Sequence, residues 1–251
     1  MKFSFKGDEP DGLRQYRESH PGGRWEDFRH ECQSGLDAVY QQLRRDQGGL
    51  CVYCEVKVSE SNRQVEHFHD KSDESDATNP TKWHLDWHNL WYACMGGTRQ
   101  SDNPGEFMEP IKVNSSCGQE KEEGIFQHIL VPDEISLLQR LFRYEQKADA
   151  ITIHPDEEQC RMLNVDIAKV QRTIDVLGLN CSRLCKARLS ALIPLNRIMA
   201  KKRPDFQARV RLASNYLGNA QRLNRSSFFT MIRWMLKEAA EQHLRDIGYN
   251  G

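Results

Sequence analysis

Two thiols, Cys51 and Cys54, flank Val52-Tyr53 directly after Gly48-Gly49-Leu50. A turn of that length lets both sulfurs reach one tetrahedral ion at about 2.3 Å. A structural zinc needs two more ligands, so this pair constrains what the rest of the chain must bring to it. The eight cysteines lie at 32, 51, 54, 94, 117, 160, 181 and 185. Cys94 and Cys117 are the expected partners, which gives a four-cysteine site. The position that would complete a second two-residue-spaced pair after Cys94 is Gly97, so Cys117 has to stand in for it. His69, His84 and His128 are the alternatives for the fourth ligand. Without a metal, the pair reads as a redox couple or as two buried thiols. Cys32 and Cys160 read as core residues, as do Cys181 and Cys185, spaced i,i+4 on a helix.

A chain of 251 residues with 38% hydrophobic and 28% charged residues can bury a sizeable core and is not of disordered composition. No run approaches the roughly 18–20 apolar residues of a membrane span. Met1 to Asp8 carries no apolar stretch of secretory type. The expected compartment is the cytoplasm, where thiol pairs bind metal more often than they form disulfides. The net charge of −1 conceals segregation. From Arg183 to Arg225 there are eleven Lys/Arg and one acid, Asp205, whereas from Glu55 to Asp76 there are seven acids and three bases.

The fold class expected is α+β, a predominantly helical chain with an inserted metal-stapled unit. Three segments are expected: an N-terminal helical part over 1–49, the cysteine- and histidine-rich unit over 50–125, and a helical, basic region over 126–251. Residues 1–24 read as loop, punctuated by Pro10, Gly12, Pro21, Gly22 and Gly23. Apolar residues at steps of three and four predict a helix over 25–45, stopped by Gly48-Gly49. Short β-like pieces are expected over 50–58 and 63–68, helical character over 86–94, and an acidic loop over 100–122. Beyond Val131 the pattern predicts a short helix over 135–142 and a hairpin around 146–149. A helix over 165–177 ending at Gly178 should follow, then one capped by Asn180 and kinked at Pro194, and a last helix over 226–244.

Val65-Glu66-His67-Phe68 places an acid directly before a histidine after a β-like run, and Trp87-His88-Asn89-Leu90 follows. Each signal is common alone. Together with the thiol pair and Cys94, their order resembles the HNH, or ββα-metal, nuclease family. Residues 47–94 carry the specific part of the likeness, which is nearest to the PtuB proteins encoded with retrons and with the Septu anti-phage system. The resemblance implies a zinc-stapled ββα-metal unit that cuts nucleic-acid phosphodiesters with a divalent cation, Mg2+ or Mn2+. It implies His67 as general base, Glu66 as metal ligand, and Asn89 as a residue that orients the loop or touches the metal. A histidine suits deprotonation of water near neutral pH, and a hard cation prefers oxygen ligands. Thr98 stands where many members carry a further Asn or His. His88, Asp86 or His84 then supplies that contact, or water and substrate phosphate do, and His88 is the expected ligand.

The resemblance further implies an effector of anti-phage defence acting on DNA or RNA. The partner would be an ABC/SMC-like ATPase of the PtuA type, and a retron reverse transcriptase with its msDNA is compatible with the same likeness. No phosphate-binding G-x-x-x-x-G-K-[ST] loop is present, so nucleotide sensing would fall to the partner. The basic region reads as a phosphate-contacting surface, a docking face for an acidic partner, or a solvated exterior. The competing reading of the whole chain is a non-catalytic zinc module that binds nucleic acid or protein. No membrane partner is expected.

Overall fold

A computed structural model describes residues 1–73, 83–98, 114–122, 124–135, 140–218 and 225–249. It shows an α+β protein: helices predominate and two separate two-stranded antiparallel sheets carry the strands.

The N-terminal part is more helical than its punctuation suggested. Pro10 sits at the N-cap of α1 (Asp11–Ser19), where a fixed φ and a missing N–H do no harm. Leu13 and Tyr16 are its buried residues, too few for the periodicity to register. The helix expected over 25–45 is divided at Cys32 into α2 (Trp25–Glu31) and α3 (Gln33–Gln47). Gly48 ends α3 in the left-handed conformation, donating its N–H to the last carbonyls. Trp25 and Phe28 of α2 and Leu36, Val39 and Leu43 of α3 point inward.

The central unit is built on strands β1 (Arg63–His67) and β2 (Leu90–Cys94), paired so that His67 lies opposite Leu90 and Arg63 opposite Cys94. All five residues of β2 are buried. That corrects the helical expectation for 86–94: a continuous apolar run of five is also what a strand covered on both faces looks like. Only Trp87–Asn89 turns helically, as one 3-10 turn before the strand. Gln47, at the end of α3, stitches the free edge of β2. Its Oε1 accepts from Tyr92 N at 2.7 Å, and its Nε2 donates to Tyr92 O at 2.7 Å and Leu50 O at 3.1 Å.

The C-terminal half opens with the expected hairpin, β3 (Phe142–Gln146) and β4 (Ile151–Pro155). Phe142 begins a strand rather than ending a helix, and residues 136–139 lie outside the described ones. Helices α4 (Glu157–Met162), α5 (Ile167–Val176), α6 (Ser182–Lys202), α7 (Phe206–Leu217), α8 (Phe229–Leu236) and α9 (Glu238–Asp246) follow. Asn180 does not cap α6. Its side chain instead pairs with both backbone groups of Ile153, fixing the helix to β4. The last expected helix is interrupted at Lys237, whose φ of 52° no helix interior tolerates.

One buried apolar cluster runs through all three segments, from Leu13 through Trp91 to Phe229 and Leu244. Glu55, the residue after the thiol pair, is a buried link between them. It accepts from Thr230 N at 2.8 Å and lies 3.1 Å from the Met1 ammonium. No helix among the described residues is long and apolar enough to cross a membrane.

Candidate active site

The backbone of the thiol turn explains why its sulfurs converge. Glu55 N donates to Cys51 O at 3.0 Å and Cys51 N to Val56 O at 2.9 Å, closing a tight loop. Val52 N donates to Tyr92 O at 2.9 Å, which sets this loop beside Cys94 at the end of β2. Cys117 arrives from elsewhere. It opens a 3-10 turn, Cys117–Gln119, and its N–H donates to Leu177 O at 2.8 Å at the end of α5.

The four sulfurs of Cys51, Cys54, Cys94 and Cys117 are buried and lie within 4.8 Å of one another. Cys51–Cys117 and Cys94–Cys117 are 3.8 Å apart and Cys54–Cys94 is 3.7 Å. The edge of a zinc tetrahedron with metal–sulfur bonds of about 2.3 Å is about 3.8 Å. The set therefore fits a structural Zn2+ and not two disulfides. His69, His84 and His128 are outside this group, so the fourth position falls to Cys117. Gly97 occupies a left-handed turn with φ 86°, where an added Cβ would come 2.6 Å from Arg183 Nε and 2.8 Å from Asn114 O. A cysteine there would displace Arg183.

Arg183 has a reason to be so close. Zn2+ with four thiolates carries a net charge of −2, and Arg183 is a buried cation beside it. Burial opposes its charge, but the sulfurs of Cys54, Cys94, Cys181 and Cys117 outweigh that and raise its pKa. Its Nη2 donates to Ser116 Oγ at 2.6 Å, tying the start of α6 to the Cys117 loop.

Glu66 and His67 are neighbours in β1, so their side chains leave opposite faces of the strand. Glu66 turns inward, 8% exposed. It accepts from Tyr53 OH at 3.2 Å and pairs with Lys121 at 2.9 Å. Gly118 makes room for it, since a Cβ there would lie 2.0 Å from Glu66 Oε2. Burial raises the Glu66 pKa, and Lys121 and Tyr53 oppose that rise. Lys121 also donates to His67 O at 2.5 Å and Phe68 O at 3.0 Å, fixing the end of the strand.

His67 faces the other way. Its Nε2 lies 3.0 Å from His84 O, and the Trp25 ring meets it edge-on at 5.2 Å. The carbonyl can only accept, so Nε2 carries the proton and Nδ1 keeps its lone pair. Burial first, then the His84 O hydrogen bond acting against it and the nearby Lys71, His84 and Lys121 charges acting with it, bring the His67 pKa down to about 3. Glu26 of α2 stands at the same place, paired with Lys71 and 3.8 Å from His84 Nδ1.

Asn89 holds the loop that follows β1. Its Oδ1 accepts from His69 N at 2.6 Å, and its Nδ2 donates to His69 O at 3.1 Å and Trp83 O at 2.8 Å. His69 stacks on Trp83 at 4.0 Å. Asn89 thus clamps both ends of the segment between β1 and His84, whose carbonyl orients His67.

The structure brings together the four cysteines, and separately His67 with the loop that Asn89 clamps. It does not bring Glu66 and His88 to His67. His88 is exposed, at the turn before β2, and Glu66 is engaged by Lys121. Thr98 and the alternative ligands Asp86 and His84 join no such group either. Among the described residues the sulfurs are the only set of three or more His, Cys, Asp or Glu ligand atoms within 4.8 Å. Lys121, Tyr53, Glu26 and Arg183 were not singled out for the site by sequence reasoning. Only Tyr53, inside the thiol turn, lay close enough in sequence to draw notice.

No family model matches the chain. A protein of Escherichia coli described as "Retron Ec83 putative HNH endonuclease" is 31% identical over 217 residues, covering 78% of this chain and 81% of its own length. A protein of Vibrio cholerae described as "Retron Vc95 putative HNH endonuclease" is 29% identical over 151 residues, covering 60% of this chain and 62% of its own length. The chain belongs to the family of retron-associated HNH endonuclease homologues. The resemblance read from residues 47–94 extends over most of its length.

Proposed function

We propose that this chain is an HNH endonuclease that cleaves nucleic-acid phosphodiester bonds, with His67 as general base and a Zn(Cys)4 centre as a structural staple. One observation carries the reading: His67 Nε2 lies 3.0 Å from the His84 carbonyl oxygen, a contact that favours the Nε2–H tautomer of a neutral imidazole and leaves Nδ1 as the acceptor. That tautomer can take a proton from water. The carbonyl then stabilises the imidazolium that forms. At a pKa of about 3 the imidazole is a weak base, and cations beside it contribute to that value. A bound phosphodiester sets negative charge against those cations and raises the basicity as the substrate arrives.

Asn89 is a positioning residue, since it acts on His67 through the loop that presents His84 O. Cys51, Cys54, Cys94 and Cys117 would hold a zinc ion, which would cross-link the thiol turn, β2 and the Cys117 turn. The family reading includes Mg2+ or Mn2+ as cofactor, with Glu66 and His88 as its ligands. Because Glu66 is paired with Lys121 and His88 is exposed at the turn before β2, no step is assigned to that cation. The retron named in the relatives' descriptions supports a retron reverse transcriptase–msDNA complex as partner; the effector role in anti-phage defence and a controlling PtuA-type ABC/SMC-like ATPase rest on the resemblance of residues 47–94 alone.

The second reading, a non-catalytic zinc module, is favoured by Thr98, which stands where many members carry a further Asn or His, and by the basic second half of the chain. Incubating the zinc-loaded protein with single- and double-stranded DNA and RNA separates the two. Mg2+, Mn2+ or EDTA would be added, with and without the candidate ATPase. Cutting that requires the added cation is the expected result. Absence of cutting in every arm, with one zinc retained per chain, overturns the nuclease reading in favour of the module.

A further inference from the structure

The eleven bases between Arg183 and Arg225 do not act as one group. Arg183 and Arg188 are buried, the first beside the sulfurs and the second donating to Leu179 O at 2.6 Å. Arg225 packs against Phe229 and Tyr249, and Arg222 lies outside the described residues. The others divide between α6 and α7 and are exposed.

On α6, Lys186, Arg197 and Lys201 share one solvent-facing stripe at i, i+11 and i+15, with Ser190 and Ile193 between them. Fifteen residues of helix rise about 22 Å. Neither helix contains an acid. The chain reverses at Arg203, in the left-handed conformation with φ 40°. Lys202 and Arg203 stand exposed where α6 ends, and Arg209 and Arg211 are exposed on α7. Asp205, the one acid in sequence between Arg183 and Arg225, is spent as the N-cap of α7, accepting from Ala208 N at 2.8 Å. No ion pair among the described residues engages any of these cations, although exposed pairs occur elsewhere, as in Arg161–Glu157. Phe206 stands at the same corner, 46% exposed.

We propose that the α6–α7 corner is a binding track for single-stranded nucleic acid, with Lys186, Arg197, Lys201, Lys202 and Arg203 on backbone phosphates and Phe206 as a platform on which a base stacks. A polyanion fits a line of unpaired cations, and an aromatic set among them is how strands are held without sequence preference. A protein partner needs an apolar interface core. The two large exposed apolar residues here, Ile193 and Phe206, stand thirteen positions apart and make none. Arg183 ties the first turn of α6 to the Cys117 loop, so the track starts beside the zinc unit.

The inference rests on the nuclease reading only for naming the strand as substrate, and binding is measured apart from cutting. Zinc-loaded His67→Ala protein, which spares the probe, is titrated with fluorescent 20-nucleotide DNA and RNA strands and their duplexes over a salt series. Combining Arg197→Gln, Lys201→Gln, Lys202→Gln and Arg203→Gln is expected to lower affinity at least about tenfold near 0.1 M salt. It should also flatten the slope of log K against log salt by about 3. Phe206→Ala is expected to weaken strand binding about tenfold and leave the salt slope unchanged. Circular dichroism and zinc content report that the exposed substitutions leave the fold intact. Unchanged affinity and slope in the four-fold variant overturn the track. So does a preference for duplex that Phe206→Ala does not touch, and so does intact strand binding with loss of the ATPase partner. Wild-type cutting, assayed in parallel, reports on the nuclease reading independently.

Discussion

The zinc-stapled unit and the helical C-terminal half solve the problem of stability differently. In the first, two five-residue strands and several turns are fixed by individual polar groups: four sulfurs, Gln47 on β2, Asn89 on its loop, Lys121 on Glu66. In the second, helices bury broad apolar faces, with Phe229, Leu184, Leu192 and Leu195 at 2% exposure or less. A unit of few strands has too small a core to stand alone and needs a cross-link. It gains sharp placement of a few side chains, and the candidate base sits there rather than among the helices.

The comparison predicts unequal damage. Removing zinc by chelation, or replacing Cys117 by Ser, should disorder the unit, because structural zinc contributes on the order of 10 kcal/mol to such folds. Near-UV circular dichroism of its tryptophans should collapse while the far-UV helical signal largely survives. Equal loss of both signals would show that the two regions do not differ in this way. In the helical half, Phe229→Ala should cost about 3–5 kcal/mol in urea unfolding, with zinc content unchanged before the transition.

Asn89→Ala should cost less, about 1–3 kcal/mol, for the backbone groups of His69 and Trp83 left without their partner. It should nonetheless reduce any cleavage far more than Phe229→Ala does, since it frees the loop that orients His67. Asn89→Asp, which keeps the acceptor for His69 N, should recover part of the stability. An equal fall in activity in both variants would sever Asn89 from a positioning role.

The smallest effect expected is on pH dependence. His67 has its pKa lowered by burial to about 3, against about 6.5 when unfolded. Between these values the unfolded chain binds a proton that the folded one excludes. Stability from this group is complete above about pH 6.5 and falls as the solution is acidified towards pH 3. At saturating zinc, between pH 7.5 and 5.5, the midpoint of unfolding should drop more in wild type than in His67→Gln. Parallel curves would contradict the buried, neutral histidine.

The thiol pair, the acid–histidine dipeptide and Asn89 were legible because their chemistry is written in adjacent residues. Cys117 was the expected fourth ligand and the structure places its sulfur with the other three, but what brings it there, a turn hung from Leu177 sixty residues further on, was not visible in the sequence. Glu66 illustrates the same limit. The resemblance implied a metal ligand there, and the sequence around it gave no sign that Lys121, 55 residues away, would lie 2.9 Å from its carboxylate. In the fold, the 146–149 hairpin and the stop at Gly48 were readable from turn chemistry. The strand at β2 was not, because a fully buried strand loses the alternation that marks one. Helix α7 went unseen as only Ala213 and Leu217 of it are buried, and the break at Lys237 because nothing local demands it.

The central claim is that His67 acts as base within a zinc-stapled unit. It is tested most directly by single-turnover cleavage with wild-type and His67→Ala protein, on the best substrate found and with zinc content measured on the same samples. The account predicts a loss of about 10^2–10^4-fold in rate while the variant keeps one zinc per chain. Equal rates in the two proteins, at equal zinc content, would contradict it.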